Sequence, residues 1–146
     1  MKILLTGAAG FIASQAAEGL LHRSCSVVGL DNFDDFYDPA IKEANISRAR
    51  DYDSFTLVRG DIRDQSVLEN LPHGIDTIVH IAARAGVRPS IAQPGLYYDV
   101  NVTGTLNLME LARERGIKRF IFASSSSVYG NNEKVPFSEA DPVDNP

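Results

Sequence analysis

Short apolar runs alternate with longer stretches of helical periodicity along the chain. Ile3–Thr6, Ser26–Leu30, Phe55–Arg59, Thr77–Ala82 and Arg119–Ala123 are compact runs rich in Ile, Val, Leu and Phe, and each predicts a strand. Between them, Phe11–His22 predicts a helix with Ile12, Ala16 and Leu20 on its apolar face. Asp38-Pro39 opens a second helix that runs through Ile41, Ala44 and Arg48, because proline is tolerated in a first turn. Asp64 is placed to cap a short helix ending at Leu71. A long helix runs from Gln93 or Leu96 to Arg115 and is closed by Gly116.

Strands separated by helices predict a parallel sheet with right-handed crossovers. Strands that are nearly continuous apolar runs predict helices on both faces. The fold class is therefore α/β: a Rossmann-like doubly wound parallel sheet of strand order 3-2-1-4-5. Its crevice lies at the carboxyl ends of strands one and four. Residues 1–130 form this domain. Residues 131–146, polar and carrying Pro136, Pro142 and Pro146, read as a loop leading onward. The long helix has two apolar stripes, one of Tyr97, Val100, Gly104, Leu108 and Leu111, the other of Tyr98, Val102, Thr105, Met109 and Ala112. One can bury on the sheet. The other needs a partner, either another helix of the same chain or another subunit, and the second of these predicts a homo-oligomer through residues 96–115.

The 146 residues amount to one domain, and 44% hydrophobic residues supply a core. A net charge of −5 argues against nucleic acid, whose phosphates need a basic footprint. Cys25 is the only cysteine, which excludes an intrachain disulfide. The apolar run at the N-terminus is too short for a signal-peptide core, and no stretch approaches the ~20 apolar residues of a membrane span. The expectation is a cytoplasmic protein with no membrane partner. No metal site is read.

Thr6-Gly7-Ala8-Ala9-Gly10-Phe11-Ile12-Ala13 follows the first strand and opens the first helix. Gly7 and Gly10 let the backbone turn sharply and approach a pyrophosphate, which the helix N-terminus attracts. Asp31 ends the second strand, where a carboxylate can accept both ribose hydroxyls of adenosine and repel a 2′-phosphate. Turn and acid together point to a dinucleotide, NAD rather than NADP. Gly60-Asp61-Ile62 can flank an adenine or simply start a helix. His80 reads as a satisfied core histidine, and the small residues Ala82 and Ala83 let a cofactor lie against the backbone.

These stretches, with Asn101-Val102-Thr103-Gly104-Thr105 and Ser124-Ser125-Ser126-Ser127-Val128-Tyr129-Gly130, resemble the extended short-chain dehydrogenase/reductase superfamily over the whole chain. Asp31–Ile46 and Ala83–Pro94 look like its UDP-glucuronate/galacturonate 4-epimerase branch. The resemblance implies an isomerase in which NAD takes a hydride from C4 of a nucleotide sugar and returns it to the other face. It places Phe11, Ile12, Asn32, Asp61, Ile62, Arg84 and Asn101 in the cofactor site beside Gly7, Gly10, Asp31, Ala82 and Ala83. Ser125 matches the catalytic Ser/Thr, and Ser126 and Ser127 would face the sugar's C5 substituent. Dehydratases of the superfamily carry Asp-Glu at those two positions, so Ser-Ser disfavours dehydration. Arg84 and Arg88, in the loop after strand four, are bidentate partners for phosphate or carboxylate, or else plain surface arginines. The implied partner is a UDP-sugar, with a uronate favoured.

The resemblance also implies a catalytic Tyr-x-x-x-Lys. None of the five tyrosines has a lysine four residues on. The expectation is the cofactor-binding half of a protein about twice as long, inactive alone. A silent NAD-binding module and a same-fold decarboxylase or reductase remain alternatives.

Overall fold

The computed structural model describes residues 1–144. Asn145 and Pro146, the end of the expected polar tail, lie outside them. Five strands form one parallel sheet: β1 (Lys2–Thr6), β2 (Ser26–Asp31), β3 (Phe55–Arg59), β4 (Thr77–His80) and β5 (Arg119–Phe122). Their order is β3-β2-β1-β4-β5, as expected. Register fixes neighbours across the sheet: Leu5 lies between Gly29 and Val79, and Thr6 between Leu30 and His80.

One face is covered by α1 (Phe11–His22) and a 3-10 turn at Ala49–Asp51. There Leu5 and Val27 meet Ala13, Ala17, Leu21 and Ala49. The apolar face of α1 is thus one residue on from the predicted Ile12, Ala16 and Leu20. Small alanines let the helix approach the strands closely, and Ile12 is left exposed at the cleft instead. The opposite face is covered by α3 (Gln65–Glu69) and α6 (Gly104–Arg115), which bury Leu4, Val28 and Ile78 against Leu68, Leu108 and Leu111. Arg115 ties these two helices by donating to the carbonyls of Leu68, Glu69, Leu71 and Pro72 at the end of α3.

Three expected elements change in detail. The second helix, α2, spans only Pro39–Asn45, opened by Asp38 accepting from the Ala40 amide. The fourth strand stops at His80 rather than Ala82, because the amides of Ile81 and Ala82 turn to the Thr6 hydroxyl, both at 3.2 Å. The long helix starts at Pro94 and runs through α5 (Pro94–Tyr98), a π turn at Asp99–Thr103, and α6, while a separate helix, α4 (Val87–Ala92), precedes it. Pro94 separates the two, since it has no N–H to continue α4. Arg88 therefore lies on a helix, not in a loop.

Of the two stripes on this segment, the first is buried or half-buried as expected. The second divides. Ala112 joins the core and Thr105 turns inward, while Tyr98, Val102 and Met109, with Leu106, stay exposed. Burial of strands on both faces holds for β1 and β2 but not for β5, whose Ile121 and Phe122 are 57% and 54% exposed. After a 3-10 turn at Ser126–Tyr129, residues 131–144 contain no helix or strand. They are held by a Lys134–Asp141 ion pair at 2.6 Å and by stacking of Phe137 on Tyr129.

Candidate functional site

The sheet's carboxyl ends carry two neighbouring clefts. One is lined by Gly7, Asp31, Asn32, Asp61, Ile62 and Arg84, among others. The second holds Ile12, Ala83, Arg84, Ser125 and Ser127. Arg84 belongs to both, as do Ala82 and Ala83.

The first cleft is built on the turn after β1. Gly7 has φ +69°, and its amide donates to the Leu30 carbonyl at 2.8 Å. A Cβ there would stand 2.9 Å from the Ala82 backbone, so Gly7 is required by the β4 end as well as by its own conformation. A Cβ on Gly10 would meet the Gly7 carbonyl at 3.0 Å. No side chain caps α1 at Gly10, so its first-turn amides are open to an anion. Phe11 and Ile12 are exposed beside this turn.

Asp31 is 6% exposed and tightly held. Its Oδ2 accepts from the Ala9 amide at 3.0 Å. Its Oδ1 accepts from the Phe33 amide at 2.8 Å and from Lys42 Nζ at 3.4 Å. The turn is held from the other side by Asn45, whose amide donates to the Ala9 carbonyl at 2.9 Å. The buried acid and the glycine turn are thus one hydrogen-bonded unit.

Lys42, buried on α2, is the residue sequence reading missed. It neutralises Asp31 and lies 5.3 Å from the centre of the Tyr37 ring. Burial, then the Asp31 charge, raises the Tyr37 pKa. The only sequence signal was the Asp31…Lys42 spacing across a turn-rich segment, because lysine is ordinarily an exposed residue. The Lys42 ammonium offsets much of the carboxylate's charge.

Asp61 accepts from Asn32 at 2.9 Å and is gripped by Arg63 through Nε, Nη2 and the backbone amide. These bonds outweigh its partial burial and hold its pKa at about 2. Ile62 is buried behind it.

A polar chain crosses behind the clefts. The Thr6 hydroxyl accepts the Ile81 and Ala82 amides, so its proton goes to His80 Nδ1, 2.7 Å away. His80 Nε2 then carries the ring hydrogen and donates to Thr105 Oγ1 at 2.9 Å. Thr105 passes its own proton to the Asn101 carbonyl at 2.6 Å. Burial lowers the His80 pKa to about 4, so the ring is neutral. This is the satisfied core histidine expected. Asn101 in turn clamps the Arg84 backbone, accepting from its amide at 2.8 Å and donating to its carbonyl at 3.0 Å. Asn101 thus sits on the π turn as an anchor for the cleft wall.

The serines are arranged more loosely. Ser125 Oγ accepts the Ser127 amide at 3.2 Å, capping the 3-10 turn, and bonds Ser127 Oγ at 3.1 Å. Ser125 and Ser127 face the second cleft; Ser126 is not among its walls. Arg88 is exposed on α4 and also outside both clefts, although its neighbours Val87 and Ser90 line the second. Among the described residues, no group of three or more His, Cys, Asp or Glu could hold a metal ion, and no helix is long and apolar enough to cross a membrane.

These residues fit a dinucleotide: a glycine turn at a helix N-terminus, a buried acid bonded to it, and small side chains along the β4 end. The sequence matches the GDP-mannose 4,6 dehydratase family over residues 4–146. It is 42% identical to UDP-glucuronate 4-epimerase 1 of Arabidopsis thaliana over 100% of this chain and 34% of that protein. The structure superposes with TM-score 0.82 on the UDP-glucuronic acid 4-epimerase of Bacillus cereus, solved with NAD and a fluorinated UDP-glucuronic acid. That pair shares 36% identity, over 97% of this chain and 45% of the other. A dTDP-glucose 4,6-dehydratase of Streptomyces venezuelae with bound NAD superposes with TM-score 0.86 at 32% identity, over 99% of this chain and 46% of that one. The chain spans less than half the length of the curated relatives it matches. It belongs to this family of NAD-dependent nucleotide-sugar epimerases and dehydratases.

Proposed function

We propose that this chain is the NAD-binding part of a nucleotide-sugar 4-epimerase whose substrate is a UDP-uronate. One observation carries the reading: the Ala9 amide bonds the Asp31 carboxylate, joining the phosphate and ribose ends of an adenosine site into one unit. The uronate is supported by the identity to UDP-glucuronate 4-epimerases along the whole chain. NAD, when bound, supplies a hydride acceptor for C4 and returns the hydride.

The chain's own residues have separable tasks in this reading. The Gly7–Gly10 turn and the start of α1 hold the pyrophosphate, with Phe11 and Ile12 beside it. Asp31 and Asn32 take the ribose, and Asp61 with Ile62 takes the adenine. Ala82 and Ala83 leave room for the cofactor against the backbone. Ser125 shares the C4 hydroxyl, while Ser126, Ser127 and Arg88 serve the uronate carboxylate. For the last three to act, Ser126 and Arg88 have to turn toward the second cleft. The proposed setting is the cytoplasm, where the lone Cys25 thiol stays reduced. The exposed Tyr98, Val102, Leu106 and Met109 support self-association through α5 and α6.

Calorimetric titration with NAD and NADP tests the binding. NAD should bind more tightly; equal or tighter NADP binding would contradict the assignment. A second reading is an NAD-binding module without turnover of its own. General-base assistance of the kind a Tyr-x-x-x-Lys supplies is worth about 10²–10⁴-fold. Following C4 interconversion of UDP-glucuronate by proton NMR separates the two, with negligible turnover expected from this chain alone.

A further inference from the structure

We propose that the Arg84–Asp34 ion pair is a strap across the dinucleotide cleft, which parts for NAD to enter or leave and closes over it once bound. The proposal rests on the NAD reading above. Asp34 follows β2 and Arg84 follows β4, the two strands that flank β1 in the sheet. The glycine turn rises from the end of β1 between them. Arg84 Nη1 reaches Asp34 Oδ2 at 2.8 Å, so a charged bridge links the two walls on either side of the phosphate turn. Both residues line the same cleft as Gly7 and Asp31. Arg84 also lines the second cleft, beside Ser125, so the bridge stands where the two clefts meet.

One end of the strap is fixed. Asn101 holds both the amide and the carbonyl of Arg84, and the guanidinium sits between the Phe36 and Tyr97 rings, 5.5 and 6.0 Å from their centres. Tyr97 is itself held by its hydroxyl bond to the Ala85 carbonyl at 2.6 Å. Arg84 Nε is buried and has no partner among the described residues. The other end is a short loop in which Asp34 Oδ1 accepts the Phe36 amide, leaving Oδ2 to the arginine. The pair is partly exposed, with side chains 17% and 29% accessible, so salt and solvent weaken it.

A strap has a kinetic signature that a direct ligand contact lacks. Opening limits both entry and exit, so loosening it speeds both and leaves affinity nearly unchanged. Stopped-flow NADH fluorescence on the 146-residue chain should show this. Asp34→Asn, which leaves Arg84 in the cofactor site, is expected to raise the association and dissociation rate constants together, by roughly three- to tenfold. Raising ionic strength should accelerate the unmodified chain but not Asp34→Asn. A change in dissociation alone, or unmoved rates, overturns the strap while leaving the NAD reading intact. Failure of the unmodified chain to bind NADH overturns both.

Discussion

Asp31 ends β2 almost wholly buried and accepts three hydrogen bonds, from Ala9, Phe33 and Lys42. Ser125, three residues past β5, is exposed, and its hydroxyl bonds only within its own turn. Both stand at carboxyl ends of the same sheet. The β2 end is embedded among helix, turn and strand, so its geometry is set before any ligand arrives. The β5 end has Ile121 and Phe122 uncovered and its serines exposed. Binding geometry in this chain is preorganised; the geometry of the proposed chemical step is not.

The sharpest way to break that contrast is at Asp31. Asp31→Ala leaves Lys42 buried without its partner, and breaking such a pair costs about 3–5 kcal/mol. Urea unfolding should show that loss, and Asp31→Ala with Lys42→Met should recover much of it. Gly10→Val should weaken NAD by at least ~100-fold in calorimetry, since a side chain would occupy the phosphate turn. The chain should stay folded there; Gly7→Val should instead unfold it, because its Cβ meets the Ala82 backbone.

His80 tests the support behind the clefts. Its folded pKa of about 4 lies below the ordinary 6.5 because burial disfavours the charged ring. Unfolding therefore takes up a proton between those values. The stability it contributes is complete above pH 6.5 and is lost as pH falls toward 4, in all about 3 kcal/mol. Urea midpoints at pH 7 and pH 5 should differ accordingly, and His80→Gln should flatten the difference. At the β5 end, Ser125→Ala should cost about 0.5–1 kcal/mol at most, the value of one exposed cap. A larger loss would mean the serine turn is as firmly built as the acid end.

The strand order and the glycine turn were legible because each depends on local pattern: apolar runs of strand length, and glycines between strand and helix. The face of α1 was misread by one residue because Ile12 and Leu20 outrank alanine on hydrophobicity, whereas packing close to a sheet rewards small side chains. Lys42 and the Thr6–His80–Thr105 chain were not legible. Their partners lie 11, 74 and 25 residues apart, and nothing local marks such pairs. The start of the long helix was legible beside Pro94; the π turn within it left no trace in the periodicity.

That π turn, Asp99–Thr103, holds one residue more than an α-helical stretch of the same height. Excising a single residue there would heal the helix into a regular one and turn everything before it by about 100° relative to α6. Tyr97 would swing out of the core, and Asn101 would lose its grip on Arg84. The surplus residue thus works as a phase shifter, letting one continuous rod present a greasy side to the sheet at one end and an amide to the cleft at the other.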